Sequence, residues 1–368
     1  MTQRPAFQFI VIALLLGVIA TVARQPVSSD SQMYQDIGRH VVVLDCHDVH
    51  CFRVLVAVVL EHLPGPSLVK WKAYAVLVDA AAALAIGRLC LVLGLSTSLA
   101  SLATWIAAVG FGPMQAVFDP YTSDPLMYLL GPLMLANLLE GRLGLATIAG
   151  SIGVLAKEFA AVPLWIFALM SGLQRRRDLA LRALVGAATA TLVWLTLQTC
   201  LMTIYNYSYG GNPSVNLLGG GYFAVWVTAI GWPRAAAHLF ITFGPLYVLL
   251  AAGLLYASPT SRLLALCSIP PLLAFAYVQQ PDRSLCNFQF VVIPIAVLML
   301  DAPPTWLKAA FVVTFGVSNL RLGEPQPAMF LNIRILMLTI SMAIAIYAVA
   351  ITASRRPLNP VTARAGGS

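Results

Sequence analysis

Residues 6–23 read AFQFIVIALLLGVIATVA, an uncharged run with Arg4 before it and Arg24 after it. A helix rising about 1.5 Å per residue crosses most of a ~30 Å hydrocarbon layer in that length, so this run reads as a first membrane span. Its positive start and the small residues Ala20 and Ala23 also suit a cleavable signal sequence. In a chain that is apolar throughout, a retained signal anchor is the expectation. The composition has the same character: 60% hydrophobic, 10% charged and a mean hydropathy of +0.84, where soluble domains carry about 25% charged residues. The apolar runs are rich in Leu, Ala and Val and lack sustained alternation. Backbone in lipid must satisfy its own hydrogen bonds, so the sequence predicts an all-α polytopic membrane protein rather than a barrel. The formal charge of +8 does not indicate nucleic acid, because the cations sit at the ends of apolar segments and form no stripe.

Working outward from the first span, further spans are expected at roughly 71–94, 97–117, 124–139, 143–156, 159–173, 180–204, 236–257, 263–280, 288–301, 305–320 and 331–353, about twelve in all. They form one membrane domain over 1–354, with a first outer loop at 24–70 and a short, disordered cytoplasmic tail at 355–368. Within that loop, 41–45 and 51–63 are too short to span, and the second is expected to lie against the membrane or protein surface. Arg175-Arg176-Arg177 and Arg355-Arg356 lie tight against spans, which places the amino terminus and these clusters on the cytoplasmic side. Most carboxylates then fall outside. Topology does not require that, and a polar active site at the outer surface would explain it.

Four outer stretches carry the chemistry. SSDSQMYQDIGRH at 28–40 holds Asp30, Tyr34 and Asp36, and FDPYTSDP at 118–125 holds Asp119 and Asp124. GSIGVLAKEFAAVPLWIFAL at 150–169 sets Lys157 and Glu158 in apolar surroundings, where an ionised group costs about 2.5–3.5 kcal/mol on insertion scales. QQPDRS at 279–284 puts Arg283 at the outer mouth of a helix. Outer cations gain nothing from topology. Lys157 and Arg283 are therefore candidates for holding an anion, and the anion native to a membrane surface is a lipid phosphate.

Each reading has a plainer rival. Asp30 and Asp36 suit helix capping and solvation, Lys157 and Glu158 an internal ion pair that fixes packing, and Asp119 and Asp124, each before proline, turns or caps. The Tyr- and Gly-rich loop 205–222, with Trp226 and Trp232, suits a carbohydrate-stacking rim or, more ordinarily, interfacial anchors. In Cys46-His47-Asp48-Val49-His50-Cys51, the thiols and imidazoles could supply zinc ligands. On an oxidising face Cys46 could instead pair with Cys51 or Cys286.

An acidic first outer loop of the form Asp-x-x-x-Tyr (Asp30, Tyr34), a second acidic turn SDP (Asp124), a small-residue helix ending in AKE (Lys157, Glu158) and an outer Arg283 together resemble the GT-C superfamily of membrane glycosyltransferases. The closest flavour is that of the dolichyl-phosphate-mannose and polyprenyl-phosphate-sugar dependent, mannosyltransferase-like enzymes. The resemblance implies a GT-C-like helical bundle with a short helical first outer loop in a cytoplasmic membrane and a site on the extracytoplasmic face. A polyprenyl-phosphate sugar would be the donor, and a glycan, lipid or protein the acceptor. It implies Asp30 as general base or acceptor-orienting group, worth about 10²–10⁴-fold. Tyr34, Asp36, Asp119, Asp124, Lys157, Glu158 and Arg283 would be substrate-binding residues. A cation, or a divalent metal such as magnesium or manganese on Asp119 and Asp124, would meet the leaving phosphate. Two other classes fit the composition, a transporter or flippase with about twelve spans and a non-catalytic subunit of the same fold.

Overall fold

The computed structural model describes residues 5–26, 30–40, 46–210 and 217–355. The short piece expected at 41–45, the middle of the 205–222 loop and the tail from 356 onward lie outside the described residues. α1 (Pro5–Val22) buries Gln8, Ile12, Leu16 and Ala20, one position every fourth residue. Its opposite face, with Phe7, Ile10, Leu14 and Val18, is exposed and equally apolar. A helix that is apolar all round with one side uncovered is built to meet lipid. The chain is accordingly an all-helical integral membrane protein.

α2 (Ser31–His40) and α3 (Val54–His62) form the cap that follows. They approach so closely that a Cβ on Gly38 would lie 2.5 Å from the carbonyl oxygen of Ala57, so glycine is required at that crossing. The 51–63 piece thus packs on protein through Val56, Ala57 and Leu60. α4 (Ser67–Val92) is the long helix at the centre, with Trp71, Ala75, Asp79 and Ala83 buried along it. It packs against α1, against α5 (Thr97–Ala108) and α6 (Phe111–Phe118), which are split at Val109–Gly110, and against α7 (Asp124–Leu139). α8 (Leu143–Gly153) and α9 (Val162–Leu173) flank α7, and α10 (Arg177–Ile204) lies across both.

The remaining helices are α11 (Gly221–Ile230), α12 (Trp232–Phe243), α13 (Leu246–Tyr256), α14 (Pro259–Val278), α15 (Pro281–Cys286), α16 (Gln289–Ala296), α17 (Thr305–Asn319) and α18 (Ala328–Arg355). One contiguous apolar core runs from Ile12 on α1 to Ala348 on α18.

Among the described residues, six stretches are long and apolar enough to cross a bilayer: α1, α4, α5 with α6, α10, α14 and α18. A seventh follows if α12 and α13 are one span bent by 58°. The expected twelve are therefore not reached by length alone. Gly244, at φ +48, and Pro245 break the segment expected at 236–257, because a left-handed glycine followed by proline cannot continue a helix. The segments expected at 143–156, 159–173 and 288–301 are short helices.

Candidate active site

Near the start of α7 and the end of α14, short elements enclose a cavity of about 340 Å³. Asp30, the residue before α2, lines it. The Asp30 carbonyl accepts the Tyr34 amide at 3.1 Å, and its carboxylate lies 3.6 Å from Nε2 of His50. His50 is itself held. Asp48 bonds both its Nδ1 and its backbone amide, the Cys46–Cys51 disulfide closes the loop, and the Tyr34 ring packs against the imidazole at 5.6 Å. Burial acts to raise the Asp48 carboxyl, but the hydrogen bonds from His50 outweigh it and hold Asp48 below its ordinary value. The two ring nitrogens of His50 thus face two carboxylates, which fixes the ring's orientation toward Asp30.

The opposing charges come from farther along the chain. Lys157 sits in extended backbone, φ −166 and ψ 137, between α8 and the 3-10 turn Glu158–Ala161. α8 ends at Gly153 and the chain is extended at Lys157, so the adjacent side chains of Lys157 and Glu158 diverge. Lys157 donates to Oδ1 of Asp124, while Glu158 accepts from Arg53 at 3.3 Å and from Gln279. They do not form the mutual ion pair considered from sequence. Arg283 completes the group by donating Nε and Nη2 to Oδ2 of Asp124 at 3.1 and 3.0 Å and Nη2 to Thr122 at 2.9 Å. Burial opposes charge on Arg53 and Arg283, yet Glu158 and Asp124 respectively hold both above the ordinary guanidinium value. Both remain cations at any working pH.

The structure brings Asp30, Asp119, Lys157 and Arg283 to the lining of one cavity, with Asp124 directly behind the two cations. It gives other proposed site residues different places. Asp36 is not in the cavity lining and accepts the Gln32 amide at 2.9 and 3.0 Å. Tyr34 is buried beneath the cavity, between His50 and Trp71. Both oxygens of Asp124 accept from cations and its side chain is only 4% exposed, so that carboxylate serves the two cations rather than lining the cavity. The thiols of Cys46 and Cys51 are joined to each other, which removes them as zinc ligands and leaves Cys286 free and buried. Among the described residues no three His, Cys, Asp or Glu side chains converge as metal donors. The described residues thus do not assemble the divalent-metal site that the resemblance offers as one alternative.

Sequence reading passed over Arg53, His238, Asp282 and Arg321, which also line the cavity. Arg53 and Arg321 carried the same signal as Arg283, a cation on the side that the sequence reading expects to be outer. His238 lies 3.4 Å from Asp282, a pairing with no trace in local spacing. Burial acts to raise Asp282, but the hydrogen bonds from His238 and the Arg283 amide leave it lowered. Beside the polar cavity is an apolar one of about 350 Å³, lined by Trp165, Trp194, Phe275 and Val278. Gln279 lines both cavities, and Glu158 stands at the junction.

No protein-family model and no curated protein matches the chain. Among solved structures it is similar to the archaeal oligosaccharyltransferase AglB from Archaeoglobus fulgidus, in complex with an inhibitory peptide and a dolichol-phosphate. The TM-score is 0.46 and the identity 13%, over 95% of this chain and 56% of that one. The chain thus spans little more than half the length of that protein.

Proposed function

We propose that this protein is a GT-C-like membrane glycosyltransferase that moves a sugar from a polyprenyl-phosphate carrier to an acceptor hydroxyl. The observation that carries this reading is one cavity with a carboxylate, Asp30, beside the His50 ring and among permanently charged, largely enclosed guanidinium groups, next to an apolar groove. The groove suits the isoprenoid chain of the donor, whose phosphate would then reach Arg53 and Arg283. In the transfer step the acceptor oxygen attacks the anomeric carbon as the bond from that carbon to the phosphate oxygen breaks. The bonding electrons leave with the polyprenyl phosphate, and the hydroxyl proton passes to the Asp30 carboxylate. Arg53 and Arg283 stabilise the charge that develops on the phosphate, in a site where water is scarce and such contacts are strong. Asp124 holds Arg283 and Lys157 in place and touches no substrate. The same reading counts the short apolar helices as crossings, twelve in all, and sets the cavity on the extracytoplasmic face of a cytoplasmic membrane.

The test is transfer by purified protein given a panel of polyprenyl-phosphate sugars. Asp30→Asn is expected to lower turnover by about 10²–10⁴-fold with the unfolding temperature unchanged. Wild-type turnover in that variant would remove the assignment.

A further inference from the structure

The polar cavity has a second neighbour. A crevice of about 160 Å³ between α12 and α18 shares His238 and Arg321 with it. Its other walls are the apolar Ile241, Leu331, Ile335 and Leu338 with the neutral Ser318 and Asn319, and Arg334. Two guanidinium groups therefore line one small crevice that has no carboxylate in its wall. This differs from the rest of the site, where Arg53, Lys157 and Arg283 each have a carboxylate partner. Arg334 gives its hydrogen bonds only to neutral oxygens, the Ser318 carbonyl at 3.0 Å and Gln326 Oε1 at 2.7 Å. Arg321 lies 5.0 Å over the Phe111 ring; the Asp282 and Glu324 carboxylates act on it only from beyond ion-pair distance, without outweighing its burial. Like charges brought together in a confined space call for a shared anion.

The crevice also faces the membrane. Leu331, Ile333, Ile335 and Leu336 on α18 are exposed and apolar, so a molecule seated between the arginines would have its hydrocarbon against this helix. The apolar groove at Glu158 and Gln279 opens on the other edge of the polar cavity and holds no cation. The two side openings thus differ in chemistry, one hydrocarbon-like and one basic.

We infer that the α12–α18 crevice seats the phosphate of a second membrane lipid, an anionic phospholipid whose headgroup bears hydroxyls, and that this lipid is the acceptor. The acceptor role rests on the transfer reading above, whereas headgroup binding does not and is measured without turnover. The phosphate bonds to Arg321 and Arg334, and the headgroup hydroxyls extend past His238 into the cavity that Asp30 lines. Donor and acceptor then enter from the bilayer through separate openings and meet between them.

The experiment titrates the purified full-length protein in detergent with phosphatidylglycerol, phosphatidylcholine or inorganic phosphate and counts bound lipid by native mass spectrometry. Phosphatidylglycerol is expected to bind about tenfold or more tighter than phosphatidylcholine, with inorganic phosphate unable to displace it, since charge-assisted contacts of this kind are worth a factor of ~10 or more. Arg321→Gln is expected to remove that preference. Arg334→Lys, which keeps the charge but not the paired donors, is expected to weaken it and guards against a folding defect, and Arg175→Gln with Arg176→Gln at the opposite end leaves it intact. The inference is overturned if Arg321→Gln and Arg334→Lys both bind phosphatidylglycerol as wild type does, if inorganic phosphate competes equally, or if only the Arg175 and Arg176 changes abolish the preference. If Asp30→Asn retains transfer while the lipid preference still depends on Arg321, the enzymatic reading falls and this lipid site stands.

Discussion

Where α7 starts, Asp124, Lys157 and Arg283 are gathered around one carboxylate, with Asp124 and Lys157 only 4% exposed. Near the ends of α4 and α7, Arg88, Glu140 and Arg142 meet at the surface, with side chains 36%, 28% and 58% exposed. The second end also has the larger cavity, about 490 Å³ against 340 Å³, lined largely by apolar residues at helix ends. Volume therefore does not mark the chemistry in this molecule. A buried ion costs several kcal/mol unless it is paired and hydrogen-bonded, so a group of such ions beside a cavity marks a site more strongly than space does. The surface ions at the other end are partly exposed and incur little of that cost.

The contrast is most directly broken by removing the shared carboxylate. Asp124→Ala leaves Lys157 and Arg283 buried without their counter-charge and is expected to destabilise the protein by about 3–5 kcal/mol, read as a shift in the unfolding midpoint in detergent. A near-neutral result would mean that the three charges do not depend on one another. Asp282→Asn is expected to cost less, about 1–3 kcal/mol, and it carries a pH signature. Because the folded carboxyl is lowered, its contribution is complete above the unfolded value of about 3.9 and is lost as pH falls through the folded value. Wild-type stability should thus lose this contribution only below about pH 4, and the variant should show a smaller fall over that range. Glu140→Gln at the opposite end should change stability by less than about 1 kcal/mol, and the effect should shrink further in high salt. A larger loss there would erase the distinction between the two ends.

The parts of this description that were legible in the sequence are those written in local pattern. The span at 6–23 and the break around Lys157 follow from apolar runs and from charges that interrupt them, whereas the helix after Asp30 was expected only from the family resemblance. The oddity of Lys157 and Arg283 was legible for the same reason, since neither serves topology. Partner choice was not. Lys157 stands beside Glu158 in the sequence, yet an extended backbone at Lys157 sends it to Asp124 and leaves Glu158 to Arg53. Asp36 was expected to support Asp30 at the site, but α2 pairs it with Gln32 and only Asp30 lines the cavity. His238 and Asp282 belong to different helices, and no spacing rule connects them.

From sequence alone came the solvent of the protein and the class of its elements, because hydrocarbon tolerates only backbone that satisfies itself and this composition admits little else. The identities of the ionisable residues available to a site came with it. Tertiary structure decided which of them meet. Ion pairs over a few ångströms depend on helices separated by a hundred or more residues, as Arg283 and Asp124 are, and the packing that brings those helices together is set by close approaches such as Gly38 on Ala57, which no local pattern encodes.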